Sequence, residues 1–214
     1  PTLTEYCDYT CHVCADLDVA AGKDLTTWAA QGYYNLELQP VITVNMDYLK
    51  PATSASLIVA QKAPDKWVDF HHALLAYFAT QYQASNGTVV QNLEASWKQV
   101  KMIAAEVGVP SDVIDTFPLN AAEDYLKAST TAWQNANYSG RNNGLGTPEL
   151  IKDHSTVIAL HTPLTSAKQT IAEVFGITDS ASPVPTETPA PEATEPSQSG
   201  TGEAQSSEMT DSSN

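Results

Sequence analysis

Three cysteines stand within eight residues, in the string Glu5-Tyr6-Cys7-Asp8-Tyr9-Thr10-Cys11-His12-Val13-Cys14, and the 214-residue chain has no others. Structural disulfides of exported domains usually close long loops, so this clustering points to chemistry. Three chemistries compete. In the first, Cys11-His12-Val13-Cys14 is a redox CxxC at the start of a helix. Exposed backbone N–H groups and the helix dipole stabilise a thiolate at Cys11 there. His12 adds positive charge beside it, and Cys14, one turn on, forms or resolves the disulfide. A thiolate stabilised in this way favours the reduced state, which makes the disulfide a better oxidant. In the second, Cys7-x3-Cys11-x2-Cys14 has the spacing of the radical-SAM cluster motif. Those enzymes need repeated strand–helix units and a Gly-rich segment, and the sequence after the motif offers few strands and no such segment. In the third, the cysteines bind zinc together with His12, His71 or His72. Zinc sites usually draw ligands from two separated knuckles, and no second knuckle is present. Cys7, on the incoming strand, reads as a buried apolar residue, with a third redox thiol as the alternative.

The elements that must position these residues follow from pattern. Leu3–Tyr9 reads as a strand running into Cys11, and Cys14–Ala30 as a helix closed by Gly32. Leu36–Val44 reads as a buried strand. Pro51–Asn137 is mostly helical: Trp67, Phe70, His71, Leu74 and Phe78 fall on one helix face, as do Trp97, Val100, Ala104 and Val107. Ala122, Tyr125, Leu126, Ser129 and Trp133 repeat the pattern. These stripes read as core rather than as a cofactor pocket. Gly140–Gly146 is a loop, and Leu150–Ile151 and Thr156–Leu160 are short strands joined by the polar turn Lys152–Ser155. Thr165 is placed to cap a last helix facing Ala167, Thr170, Ile171 and Val174 inward.

Composition sets the outer limits. Ten basic residues against 25 acidic ones give a net charge of −15 and a pI near 4.4. That field repels phosphate backbones and anionic lipid surfaces, so nucleic acid is not an expected partner. No apolar run approaches the ~18 residues of a membrane span. From Thr178 to Asn214 the chain carries seven acids and no Lys or Arg, with five prolines among Ser, Thr, Glu and Gln. Such a segment buries too little surface to offset its ordering entropy, and disorder is expected. The first residue is Pro1, so a leader or anchor preceding it would not be visible.

The residues around the cysteines resemble the thioredoxin-fold proteins of the DsbA type, particularly those exported by Gram-positive bacteria. Thr4-Glu5-Tyr6-Cys7-Asp8-Tyr9-Thr10-Cys11-His12-Val13-Cys14-Ala15 is similar to that family's opening strand and active-site turn. Gly146-Thr147-Pro148 resembles its second hallmark, a Gly-Thr-Pro whose proline is cis. Lys66-Trp67-Val68-Asp69-Phe70-His71-His72-Ala73-Leu74-Leu75 resembles a helix of its inserted helical subdomain. The similarity runs from about Leu3 to Phe175. His12 stands where many members have Pro, Val13 where His or Tyr is frequent, and Cys7 where an aromatic is usual. His154 and His161 match nothing in the pattern and read as surface residues.

The resemblance implies an α/β, thioredoxin-like fold interrupted by an α-helical subdomain. Its parts would be 1–50 and 141–177 for the thioredoxin-like portion, 51–140 for the insertion and 178–214 for the tail. It implies that Cys11 is the solvent-facing nucleophile, Cys14 its buried partner and His12 a tuning residue of the redox pair. Thr147 and Pro148 would form the substrate-binding loop, and no metal or cofactor is required. The implied activity is extracytoplasmic thiol–disulfide exchange that forms disulfides in reduced exported proteins, with reoxidation by a membrane-bound partner and tethering through an N-terminal segment. A reductase or isomerase of the same fold, or a non-catalytic adaptor with a static disulfide, are the alternatives.

Overall fold

The first strand, β1 (Thr2–Cys7), lies at the centre of a mixed sheet. The computed structural model describes residues 1–84, 87–141, 144–161 and 163–178, all within a unit that extends from Pro1 to Val184. Except for Thr178, the acidic tail expected to be disordered lies outside the described residues. β1 stops two residues before the sequence pattern does, because the Asp8 carbonyl turns back to accept from the Cys11 N–H (2.9 Å). Helix α1 (His12–Leu17) begins directly after Cys11 and runs through a π-turn (Asp18–Gly22) into α2 (Lys23–Ala30). The helix therefore starts two residues earlier than periodicity indicated, which puts Cys11 at its N-cap and Cys14 inside its first turn. Gly32, at φ +84°, releases the chain into β2 (Asn35–Pro40), parallel to β1 with Thr2 opposite Asn35 and Cys7 opposite Pro40.

β2 is shorter than the expected Leu36–Val44, and the reason is local. The N–H groups of Thr43, Val44 and Asn45 turn to the Asp8 carboxylate instead of to a strand partner. The chain then forms α3 (Leu49–Lys62), α4 (Pro64–Gln83), α5 (Leu93–Glu106), the single turn α6 (Ser111–Ile114) and α7 (Glu123–Asn135). The anticipated stripes are core: Phe70, Leu74, Phe78, Val100, Ala104, Leu126 and Trp133 are all buried. The chain re-enters the sheet as β3 (Glu149–Lys152), antiparallel to β1, and turns into β4 (Thr156–Ile158), giving the order β2-β1-β3-β4.

The β3–β4 connection is three residues, Asp153–Ser155, with positive φ at Asp153 (50°) and His154 (53°) and the Ser155 N–H donating to the Lys152 carbonyl, a left-handed turn built without glycine. Side-chain contacts hold it: Asp153 Oδ1 accepts from the Thr2 N–H, and His154 Nε2 meets Glu37 Oε2. The last helix, α8 (Ala167–Phe175), is preceded by a 3-10 turn over Leu164–Ser166. Thr165 therefore sits inside that turn, and Ser166 rather than Thr165 is the N-cap. Leu3, Leu17, Leu25, Trp28, Leu150, Ile158 and Ile171 form a core between the sheet and the α1–α2 and α8 helices. A second core joins α3, α4 and α5 to Tyr9 and all three cysteines. The helical block thus packs on the segment that carries the CxxC. Among the described residues no helix is long and apolar enough to cross a membrane.

Candidate functional site

Cys11 caps α1 with extended backbone (φ −91°, ψ 117°), and its carbonyl accepts from the Ala15 N–H. Its thiol donates to the Thr147 carbonyl oxygen (3.3 Å) and hydrogen-bonds Cys14, which in turn hydrogen-bonds Cys7. All three cysteines are free thiols, and the three sulfurs form one chain. Cys11 is 6% exposed, so it is the more accessible of the CxxC pair but much less open than a solvent-facing thiol; Cys14 is wholly buried. The protonation state also departs from the sequence expectation. The Cys14 hydrogen bond and burial push the Cys11 thiol up, against the opposing pull of Thr147 and the Cys14 backbone. In this dithiol arrangement the helix start does not hold Cys11 as a thiolate, because its proton is used in a hydrogen bond. Burial raises Cys14 well above its ordinary range; Cys7, pulled down by its hydrogen bond to Cys14, is raised to about 11 by burial and the neighbouring Glu5 and Asp8 charges.

Two buried carboxyls and an arginine surround this turn, none of them marked by the cysteine motif. Asp8 is fully buried, with Oδ1 accepting from the Thr10 N–H (2.7 Å) and hydroxyl (2.6 Å). Its Oδ2 accepts from the Thr43 and Val44 N–H groups at 2.7 and 2.8 Å. The Thr43 hydroxyl continues to the Thr147 hydroxyl (2.8 Å), so one carboxylate ties together the CxxC turn, the loop after β2 and the Thr147 loop. Glu5 points to the same face of β1 as Leu3 and Cys7. It is 5% exposed, and burial together with the Asp18 charge raises its carboxyl to about 8. An acid at an inward strand position was the available signal for it. Third, Arg141 holds the Thr147 loop from behind. It forks onto Glu149 (2.8 and 2.5 Å) and also donates to the Trp133 and Ala136 carbonyls, while the Trp133 indole N–H donates to Glu149.

The other expected site residues fall as follows. The exposed His12 ring stacks on Tyr82 of α4 (4.5 Å between centroids, 5° between planes). Thr147 and Pro148 lie beside Cys11, joined by a cis peptide. They line a groove of about 310 Å³ with Val13, Gly146, Leu160 and Leu164. Val44, Tyr82 and Leu145 add exposed apolar surface on neighbouring loops and helix. The cluster and zinc readings of the cysteines do not match this arrangement. The sheet is a four-stranded mixed one rather than a repeating strand–helix barrel. Among the described residues the group of three converging metal-type ligands is Asp18, His71 and His72, which includes no cysteine.

No protein-family model matches the chain, and no curated protein matches it. Solved structures do. The MdbA thiol-disulfide oxidoreductase of Actinomyces oris aligns over 83% of this chain and 80% of its own, with TM-score 0.68 and 20% identity. The reduced DsbA of Mycobacterium tuberculosis aligns over 82% of both chains, with TM-score 0.57 and 17% identity. MdbA of Corynebacterium diphtheriae aligns over 78% of this chain and 81% of its own, with TM-score 0.59 and 16% identity. At such identities the likeness is one of fold. The chain therefore has the DsbA-like thioredoxin fold, a mixed sheet interrupted by a helical block, with Cys11 and Cys14 at the start of its first helix.

Proposed function

We propose that this protein is a thiol–disulfide oxidoreductase that works outside the cytoplasm and forms disulfides in exported proteins through the Cys11–Cys14 pair. The observation that carries the reading is the placement of two hydrogen-bonded thiols at a helix start, the outer one against the Thr147 carbonyl at the edge of a groove. In the oxidised pair, a substrate thiolate attacks Cys11 Sγ, the more accessible sulfur. The Cys11–Cys14 bond breaks, Cys14 leaves as a thiolate and takes a proton, and a mixed disulfide remains on Cys11. Burial makes the charged Cys14 unfavourable, and Glu5, which carries a proton at neutral pH, lies on the same face of β1 as Cys7. A second substrate thiolate then attacks the substrate sulfur, leaving a substrate disulfide and the dithiol. The two electrons and two protons taken from the substrate pass on to a membrane-bound reoxidising partner.

Substrate capture follows from the same contacts. In the dithiol the Cys11 S–H occupies the Thr147 carbonyl; in the disulfide that donor is gone. The freed carbonyl is then open to an N–H of an extended peptide lying in the groove, as an added strand. Oxidation would thus favour substrate binding and reduction would favour release. The raised Cys11 thiol favours a second reading, a reductase or isomerase, because a protonated dithiol lacks the thiolate stabilisation that makes a strong oxidant. A glutathione redox series with alkylation and peptide mapping separates the two. Strong oxidants of this kind lie near about −120 mV and reductants near about −270 mV. Cys11→Ser is expected to abolish exchange. Full activity in that variant, or a Cys11–Cys14 pair that never oxidises, would overturn the proposal, and a disulfide that resists reduction in the folded protein would favour an adaptor.

A further inference from the structure

Where α1 runs into the π-turn, the chain passes a polar cluster that the exchange chemistry does not use. The π-turn carries Asp18, and α4 carries His71 and His72. Asp18 Oδ1 lies 2.6 Å from His72 Nδ1 and 4.0 Å from His71 Nε2, and all three atoms fall within 4.8 Å of one another. The side chains of His71 and Asp18 are 4% and 10% exposed. We propose that Asp18, His71 and His72 form a binding site for a first-row divalent cation of the zinc type.

Four observations carry the assignment. First, the far nitrogen of each ring faces a hydroxyl, as the outer partners of metal-bound histidines do. His71 Nδ1 lies 2.9 Å from Tyr9 Oη, whose own proton goes to Ser56. His72 Nε2 lies 3.4 Å from Thr26 Oγ1, which donates to the Gly22 carbonyl. With His71 Nδ1 as the N–H donor, the lone pair of His71 Nε2 aims at Asp18, while His72 Nδ1–H donates to Asp18 Oδ1, and a cation would take that proton's place between the two. Second, among the described residues no hydrogen bond is made to His71 Nε2, which stands 4.0 Å from Asp18, although the residue is nearly fully buried.

Third, the spacing fits. Ligands about 2.1 Å from a tetrahedral ion are about 3.4 Å apart, between the two distances to Asp18, so rings and carboxylate need move by less than about 1 Å. Two imidazoles and a carboxylate suit zinc-type ions, and they leave one tetrahedral position for water. His72, 21% exposed, marks the way in from solvent. Fourth, the backbone makes room. A Cβ on Gly22 would collide with Asp18 Oδ1 and approach His72 Cε1 to 3.1 Å. π-turns such as this one occur frequently at functional sites. A bound ion would clamp α4 of the helical block to the π-turn that continues the helix beginning at Cys11.

Cobalt(II) titration of the full chain tests this independently of the exchange reading, because the spectrum reports the ligand type. The expected result is uptake of one Co²⁺ per chain, displaced by one Zn²⁺, with ligand-field bands and no sulfur-to-cobalt charge transfer. Asp18→Asn and His72→Gln should each weaken binding by more than the ~10–100-fold that loss of an outer partner costs, and Tyr9→Phe should fall within that range. Zn²⁺ should raise the melting temperature of the wild type and not of His72→Gln, while His154→Gln, which alters an exposed histidine elsewhere, should bind as the wild type does. Circular dichroism identifies any variant that fails to fold, and the partly exposed His72→Gln is the one expected to stay folded. No uptake by the folded wild type, a thiolate charge-transfer band, or binding unchanged in folded His72→Gln would each overturn the proposal.

Discussion

Replacing Glu5 by Gln should alter the pH dependence of stability in a way that isolates one buried carboxyl. Glu5 is 5% exposed on the inward face of β1, and burial with the nearby Asp18 charge raises its pKa from 4.5 to about 8. In the unfolded chain the group ionises near 4.5. Between these two values the unfolded state has released the proton and the folded state still holds it, so stability falls as pH rises. The contribution is intact below about pH 4.5 and is lost progressively up to about pH 8. At about 1.4 kcal/mol per pH unit, the loss is roughly 3 kcal/mol at pH 7 and approaches 5 kcal/mol above pH 8. Gln has nearly the same shape and cannot ionise, so its variant should lack this slope and overtake the wild type at alkaline pH. The assay is urea unfolding of both proteins from pH 5 to 8.5 in the presence of a chelator. Titration of His71 is common to both and cancels in the difference. A difference that changes by less than about 1 kcal/mol across that range would refute the argument, and would mean that Glu5 is hydrated or ionised in the folded protein.

Asp8→Ala would strand the buried N–H and hydroxyl of Thr10, at about 1–3 kcal/mol each, and release the part-buried N–H groups of Thr43 and Val44. A loss of roughly 3–6 kcal/mol in denaturant unfolding is expected, together with faster alkylation of Cys11; an unfolding midpoint within error of the wild type would contradict the role given to this carboxylate. Arg141→Ala leaves Glu149 buried without its partner, and breaking such a pair costs about 3–5 kcal/mol. Chemical denaturation measures that, and weaker peptide binding by fluorescence should accompany it because the Thr147 loop loses its support. Cys7→Ala removes a buried thiol from the end of the sulfur chain but not from the proposed exchanging pair. It should cost about 1 kcal/mol of stability and keep insulin-reduction or thiol-oxidation activity; abolished exchange in a folded Cys7→Ala protein would make Cys7 a third redox thiol.

Much of the arrangement was legible along the chain because it rests on local rules. The strand before Cys11, the helix after it, the apolar stripes of α4, α5 and α7 and the β3–β4 hairpin all come from periodicity and turn chemistry acting over a few residues. The CxxC and Gly-Thr-Pro motifs supplied the pairing of Cys11 and Cys14 with Thr147 and Pro148. The ends of the strands were less legible. β1 stops short because the Asp8 carbonyl turns to the Cys11 N–H, and β2 because the Asp8 carboxylate takes up N–H groups 35 to 37 positions away that a strand would otherwise pair.

The state of the site was decided by tertiary structure alone. A CxxC at a helix start predicts a lowered thiol, yet Cys11 is raised, since burial under neighbouring segments and a hydrogen bond to Cys14 outweigh the helix terminus. Glu5 looks like any acid in a strand until the α1 side of the sheet is covered, and its carboxyl then stays protonated near neutral pH. His71 and His72 read as part of a helical stripe, and only the π-turn and the packing of α4 against it bring them to Asp18, more than 50 residues away. Most helices and strands, and the clustering of the three sulfurs, depend on neighbours along the chain and are legible there. The three-dimensional packing decided protonation, accessibility and the company of each buried polar group, because dielectric and charge depend on whatever the fold brings near.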